Sequence, residues 1–170
     1  LEFDTNEDLF GCENGVIDFR ERVFRPGRPD DLLTKTTNIN YSPVDYNQDK
    51  DTIKEIQDFM KQLFPIEELC NYMWEHLAST LIGITPNQTF NIYIGHGRNG
   101  KSVLIKLMEK VLGHYKYDIS TTLITDKKMK MGQASPEYAK LPGIRYLVMT
   151  ESSEVDEINE GLMKWLTGGD

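Results

Sequence analysis

The glycines at 95, 97 and 100 in "IYIGHGRNGKSVL", followed at once by Lys101 and Ser102, constrain the fold of this chain more than any other stretch. Gly95, Gly100, Lys101 and Ser102 satisfy the pattern G-x-x-x-x-G-K-[ST], and Gly97 adds a further glycine inside it. Phosphate oxygens need several backbone N–H groups turned towards one point. Glycine permits the positive φ angles and the close approach that such a nest demands. In that chemistry Lys101 supplies a mobile positive charge to the β and γ phosphates, and the Ser102 hydroxyl ligates Mg2+. A helix starting at Lys101 aims its positive dipole end at the same place. His96, Arg98 and Asn99 occupy the other loop positions, and Asn99 has two roles open to it: a bond to phosphate or support of the loop itself. By composition alone, four such fixed positions arise by chance in on the order of one in a few hundred chains this long. Context must therefore decide.

The flanking residues supply that context. "TFNIYIG" is strand-like, "KSVLIKLMEKVLG" has helical spacing and closes at Gly113, and "GIRYLVMTE" has the form of a second buried strand. Strand, loop, helix and strand in this order predict a parallel sheet with crossover helices. Hydrolysis of a bound triphosphate needs an acid at the end of a neighbouring strand, to hold Mg2+ through water or to orient the attacking water. Glu151 stands there, behind an apolar run from Tyr146 to Met149 that Thr150 alone interrupts. Its bland alternative is a glutamate facing water at a strand end. Glu154 is a candidate to share the role, or an exposed acid at a helix start.

The first half of the chain has a different pattern. Asn14-Gly15 and Pro26-Gly27 are turn signals among short runs rich in Val, Ile and Phe, which predict short strands or a hairpin. Residues 40–51 form a polar loop ending in an Asp N-cap. Ile53, Ile56, Phe59, Met60 and Leu63 then mark one amphipathic helix. After Pro65, a stripe of Leu69, Cys70, Met73, Trp74, Leu77 and Leu81 marks a second, closed by Gly83. Pro86-Asn87 opens a new unit, so the boundary is placed near residue 85: 1–85 a small, mostly helical α+β domain, 86–170 the α/β core. The tail from Glu154 returns to helical spacing through Ile158, Leu162, Trp165 and Leu166.

Composition narrows the class. Hydrophobic residues make up 39% and charged ones 27%, which is the balance of a globular domain. A net charge of -8 argues against a chain whose main task is coating nucleic acid. No window is apolar enough for a membrane span and Leu1 to Asp8 has no signal-peptide character, so an intracellular protein without membrane partners is expected. Cys12 and Cys70 follow no metal-ligand spacing and are expected as free, buried thiols. His76, His96 and His114 are scattered, with the spacing of ordinary packing or surface residues. The basic cluster at 126–131 has the form of a solvated loop, with contact to a phosphate backbone as its alternative, and Arg145 is a candidate positioning contact. The missing initial Met and the ending at "LTGGD" suggest a fragment.

Four stretches in order, "LFGCENGVIDFRERVFRPGRPDDLLTKTTNINY", "IYIGHGRNGKS", "LPGIRYLVMTESSE" and "LMKWLTGGD", resemble the poxvirus-type primase-helicase family of large DNA viruses and phages, within superfamily 3 of helicases. The resemblance covers nearly the whole chain, and "GxGxNGKS" and "KxLTGGD" are its more specific signatures. It implies a P-loop NTPase of AAA+-like fold, incomplete at its C-terminus, behind the small domain that precedes the ATPase in this family. It further implies ATP and Mg2+ as ligands, a homo-hexameric ring, movement on single-stranded or forked DNA, and work in the host cytoplasm or a viral replication compartment. Carried over by residue, Gly95 to Ser102 is motif A and Glu151 the motif B acid, with Lys101 and Glu151 catalytic and Ser102 and Glu151 on the metal. "LMKWLTGGD" opens motif B-prime, which places Lys164 near DNA or on a solvated helix face. Many members of the superfamily pair two acids in motif B, whereas Ser152 follows Glu151 here. The motif C asparagine and arginine finger are expected after Asp170 and the primase region before Leu1. A fragment of this kind should bind nucleotide better than it hydrolyses it. The competing classes are a P-loop kinase of nucleotides or small molecules, and a non-catalytic domain whose ATP binding only orders subunits.

Overall fold

The computed structural model describes residues 2–85, 88–125, 137–150 and 158–168. Its first part opens with an antiparallel meander of β1 (Leu9–Cys12), β2 (Gly15–Asp18) and β3 (Val23–Arg25). Cys12 pairs with Gly15, so the hairpin turn is Glu13-Asn14, one residue earlier than the Asn-Gly signal suggests. The reason lies across the sheet. A Cβ on Gly15 would stand 2.7 Å from the Phe24 ring and 2.6 Å from the Arg25 carbonyl, so this glycine serves the close approach of β3. Asn14 turns outward instead and exchanges two hydrogen bonds with the Tyr41 backbone, at 2.9 and 2.8 Å.

Two helices follow, as their spacing predicts: α1 (Lys50–Leu63), with Asp49 as its N-cap residue, and α2 (Glu67–Ser79). Cys70, Met73 and Leu77 form the buried stripe of α2, while Leu69 and Trp74 remain 42% and 39% exposed. The covered face is therefore narrower than the apolar one. Helix α2 also ends before Leu81. Its terminal turn is satisfied by the Thr80 hydroxyl, which donates to the Leu77 carbonyl at 2.6 Å. Gly83 is not its cap: its N–H bonds to the Glu7 carbonyl, and an added Cβ would lie 3.0 Å from Glu7 Cα.

The second part holds α3 (Lys101–Leu112), β4 (Lys116–Ser120), the short α4 (Thr122–Thr125), β5 (Tyr146–Thr150) and α5 (Glu160–Gly168). Strands β4 and β5 pair in parallel, Lys116 with Tyr146 through Ser120 with Thr150. A parallel pair is thus present, but it joins β5 to β4, a strand that the sequence reading did not mark, and not to the segment before the glycine loop. Among the described residues the sheets stay small and no P-loop NTPase core is evident. The predicted strand before the glycine loop is absent among the described residues: 88–94 has no ladder assignment. Phe90, Ile92 and Ile94 are 50%, 67% and 88% exposed, while Tyr93 between them turns inward. Alternation alone specifies an extended segment; a strand also requires a partner for its N–H and C=O groups.

The two parts share one core. Phe10, Cys12, Met60, Cys70, Met73 and Leu77 from the first pack in a single cluster with Leu104, Met108, Leu112, Tyr115, Tyr146 and Val148 from the second. Both cysteines are free and buried. No helix among the described residues is long and apolar enough to cross a membrane. Tyr115 is the polar pin of this core. Its ring lies 4.6 Å from that of Phe10, its hydroxyl accepts from the Gly11 N–H at 2.7 Å, and it donates to the Lys35 carbonyl at 3.0 Å. Tyr115→Phe leaves the Gly11 N–H without its partner in a buried setting. It should cost about 1–3 kcal/mol, read as a lower denaturant midpoint at unchanged slope.

Candidate functional site

The segment from Gly95 to Ser102 is built around the start of α3. Gly100 is the N-cap residue at φ +82, a left-handed conformation suited to glycine, and its carbonyl accepts from the N–H groups of Val103 and Leu104 at 3.0 Å each. Arg98 also has a positive φ, +63. A Cβ on Gly100 would meet Leu63 Cδ1 at 3.0 Å, so the end of α1 packs directly against the point where the loop becomes helix. Leu104, Met108 and Leu112 anchor α3 in the core. That fixes the direction in which its first N–H groups, the unpaired donors of any helix start, point.

Lys101 closes the loop. Its ammonium donates to the Gly95 carbonyl and to Asn99 Oδ1, both at 2.9 Å. The Asn99 amide nitrogen lies 2.1 Å from where a Gly95 Cβ would be, so any side chain at 95 would expel Asn99 and disturb the lysine. Of the two roles open to Asn99, this arrangement displays support of the loop. A Cβ on Gly97 would meet nothing within 4 Å. Gly95, His96, Gly97, Arg98, Asn99 and Ser102 are exposed, and Gly100 and Lys101 half-buried. Backbone donors at a helix start, a cation and an open glycine loop suit a multiply charged anion.

The structure does not bring every predicted residue into view. Glu151, Ser152 and Glu154 lie outside the described residues, as do the basic cluster at 126–131 and the end of "LTGGD". No group of three or more His, Cys, Asp and Glu side chains able to hold a metal occurs among the described residues. Lys164 is exposed on α5. His114 packs at its helix end, where Nδ1 accepts from the Thr36 N–H at 3.4 Å.

Two residues have more defined surroundings than their sequence suggested. His76, on α2, faces the segment leading into the loop: Nε2 lies 3.2 Å from the Tyr93 hydroxyl and Nδ1 3.4 Å from Asn91 Nδ2. Burial holds its pKa below the ordinary histidine value, and burial pushes the Tyr93 hydroxyl far above the usual tyrosine value. The usable signal was Tyr72 and His76 at i, i+4, away from the Cys70/Met73/Leu77 stripe. Arg145 is held within the protein core rather than at the loop, donating to the main-chain carbonyls of Leu9 and Leu81.

Comparison with known proteins gives the following likenesses. Residues 2–65 match the family described as D5 N terminal like. A protein of Acanthamoeba polyphaga mimivirus named "Putative helicase" is 38% identical over 167 residues, 98% of this chain and 17% of its own length. A protein of Invertebrate iridescent virus 3, also named a helicase in that form, is 32% identical over 98% of this chain and 18% of its own. An African swine fever virus protein named as a primase in the same form is 23% identical over 95% of this chain and 17% of its own. The chain thus spans under a fifth of the length of these curated relatives.

Proposed function

We propose, from the premise that the chain belongs with the primase-helicase proteins of large DNA viruses and carries their D5 N terminal like domain over residues 2–65, that it is the nucleotide-binding segment of an ATP-driven DNA helicase. The observation that carries this is Lys101, in the first turn of α3, with its ammonium drawn over a glycine loop that opens into that helix. Gly95 to Ser102 receive the triphosphate of ATP: backbone N–H groups at the start of α3 meet its oxygens, and Lys101 exchanges Gly95 and Asn99 for phosphate. Ser102 and Glu151 hold Mg2+, which when bound neutralises developing charge on the phosphates. Glu151 follows β5 directly in sequence, and its assignment to the metal rests on the order of motifs, an acid behind an apolar strand that follows the glycine loop and its helix.

In the whole protein this segment belongs to a P-loop, superfamily 3 ATPase that assembles as a homo-hexameric ring and moves on single-stranded or forked DNA. The relatives' names and the order of motifs support that assignment. Few DNA contacts fall on this segment, in keeping with its net charge of -8.

The test is a titration of Mg2+-ATP by calorimetry, followed by turnover of the full-length protein with and without single-stranded DNA. Glu151→Gln is expected to keep nucleotide affinity within about threefold and to lower DNA-stimulated turnover by roughly a hundredfold or more. Unchanged turnover in that variant would favour a domain whose ATP binding only orders subunits. ADP release stimulated by a small acceptor and indifferent to DNA would favour a kinase.

A further inference from the structure

A chain of polar side chains crosses from α2 to the segment that leads into the glycine loop. The Tyr72 hydroxyl donates to Asn91 Oδ1 at 3.0 Å. Asn91 Nδ2 lies 3.4 Å from His76 Nδ1, and His76 Nε2 lies 3.2 Å from the Tyr93 hydroxyl. Tyr93 in turn packs against the core cluster that contains Tyr146, the first residue of β5. Donors and acceptors alternate along this path only if the imidazole is neutral with its proton on Nε2: Asn91 donates to Nδ1 and Nε2–H donates to Tyr93. The Tyr72 and His76 rings lie parallel, 7° apart in plane and 6.2 Å between centroids, and the His76 and Tyr93 rings meet edge-on at 6.5 Å.

The position of this path gives it a use. It joins α2 to the two segments that lead into the proposed site: 91–94, which runs into Gly95, and β5, which runs into Glu151. Segment 91–94 has no ladder hydrogen bonds among the described residues, so the side-chain contacts of Asn91 and Tyr93 are what tie it to α2 there. For Lys101 to reach a phosphate oxygen, its bonds to the Gly95 carbonyl and Asn99 Oδ1 must be exchanged. Ile94 is 88% exposed, so Tyr93, two residues before Gly95, is the last side chain before the loop that is held by the protein interior. A second contact reinforces the link, since Leu63 at the end of α1 abuts Gly100.

We infer that Tyr72, His76, Asn91, Tyr93 and Tyr146 form a positioning relay that holds the entry to the phosphate loop in register with β5 and reports loop occupancy to the N-terminal helices. This rests on nucleotide binding at Gly95 to Ser102. Because coupling between two sites is reciprocal, occupancy of the loop must change the protection of α2, and disturbing α2's end of the relay must change affinity at the loop.

The experiment is amide hydrogen exchange on the full chain with and without Mg2+-ATP, together with calorimetric titration and thermal melting. Wild type, Lys101→Ala, Tyr93→Phe, Tyr72→Phe, His76→Phe and His76→Gln are compared. In wild type, Mg2+-ATP should slow exchange both at 101–104 and in the last turns of α2. Tyr93→Phe should bind about threefold to tenfold more weakly, keep the response at 101–104 and lose it in α2. His76→Phe should behave like Tyr93→Phe. His76→Gln, with one donor and one acceptor at comparable reach, should recover the α2 response, which a merely space-filling role for the imidazole would not require. Tyr72→Phe, at a residue 50% exposed and so least apt to disturb folding, should show the same loss of the α2 response in weaker form. Equal affinity and an intact α2 response in Tyr93→Phe and His76→Phe, with binding lost in Lys101→Ala, would overturn the relay and leave the nucleotide site standing. No response to Mg2+-ATP in wild type would overturn both.

Discussion

Replacing Lys101 with alanine is expected to weaken Mg2+-ATP binding by about a hundredfold or more while leaving the fold intact. The two consequences separate because of what the ammonium touches. Its acceptors, the Gly95 carbonyl and Asn99 Oδ1, belong to exposed residues, so water can replace the lysine at either. Losing such bonds costs at most about 1 kcal/mol of stability. The aliphatic stem contributes little to a core already fixed by Leu104, Met108 and Leu112. At a bound triphosphate the balance is different. A charge-assisted bond to a partly desolvated phosphate, once truncated, costs about 2–5 kcal/mol, and 1.4 kcal/mol is about tenfold in affinity. Calorimetric titration of wild type and Lys101→Ala measures the difference, and circular-dichroism melting confirms that both are folded. Affinities within threefold of each other would remove the loop from the binding site. Asn99→Ala should separate the two functions of the closure: it removes one of the lysine's two acceptors without touching the charge, and a modest rise in affinity would follow from a lysine less strongly held by its own loop.

The loop and α3 were legible in the sequence because their determinants are local. Gly100 needs its positive φ, Lys101 begins the helix, and Leu104, Met108 and Leu112 recur at its period. The two helices before it were legible for the same reason. Pairing was not. Strand β4, "KYDIS", has one buried side chain, Ile119, and mixed polarity around it, so nothing in its own residues distinguishes it from a loop; its partner β5 makes it a strand. Residues 88–94 fail in the opposite sense, with strand-like alternation and no ladder among the described residues. Glycine signals were ambiguous for a related reason. Gly15 and Gly83 sit where a turn and a helix cap were expected, yet each is demanded by a neighbour distant in sequence, Phe24 or Glu7. Within the candidate site the acid at Glu151 falls outside the described residues, whereas the polar path through His76 depends on the approach of α2 to segment 91–94 and left only a helical i, i+4 pair to notice.

The largest stability effect should come from a residue with no part in phosphate binding. Arg145 opens the way into β5, and its guanidinium lies 5.2 Å from the centroid of Phe10 and 4.7 Å from that of Tyr115. One branch donates to the Leu81 carbonyl beyond α2 and the other to the Leu9 carbonyl of β1, while its own N–H bonds to the Tyr115 carbonyl at 2.8 Å. A single side chain thus joins three stretches that are remote in sequence. Burial lowers its pKa, opposed by Tyr115 and by the carboxylates of Glu7, Asp4 and Asp8, but arginine starts so high that it stays charged. Arg145→Met keeps much of the stem and the volume and removes the fork. Two main-chain carbonyls then lose charge-assisted partners, at about 1.5–3 kcal/mol each, and the two rings lose their cation. A net loss of about 3–5 kcal/mol is expected, against the 5–15 kcal/mol of a typical domain. For a chain of this size that corresponds to a fall in Tm of roughly 6–20 °C. Arg145→Lys should recover less than half of it, because one ammonium cannot span two carbonyls in the geometry of a planar fork. A Met variant melting within about 2 °C of wild type would mean that the carbonyls are satisfied by water and the clamp is dispensable. If the loss is as large as expected, the first and second halves of the chain depend on one another for stability, and neither should be cut at residue 85 without cost.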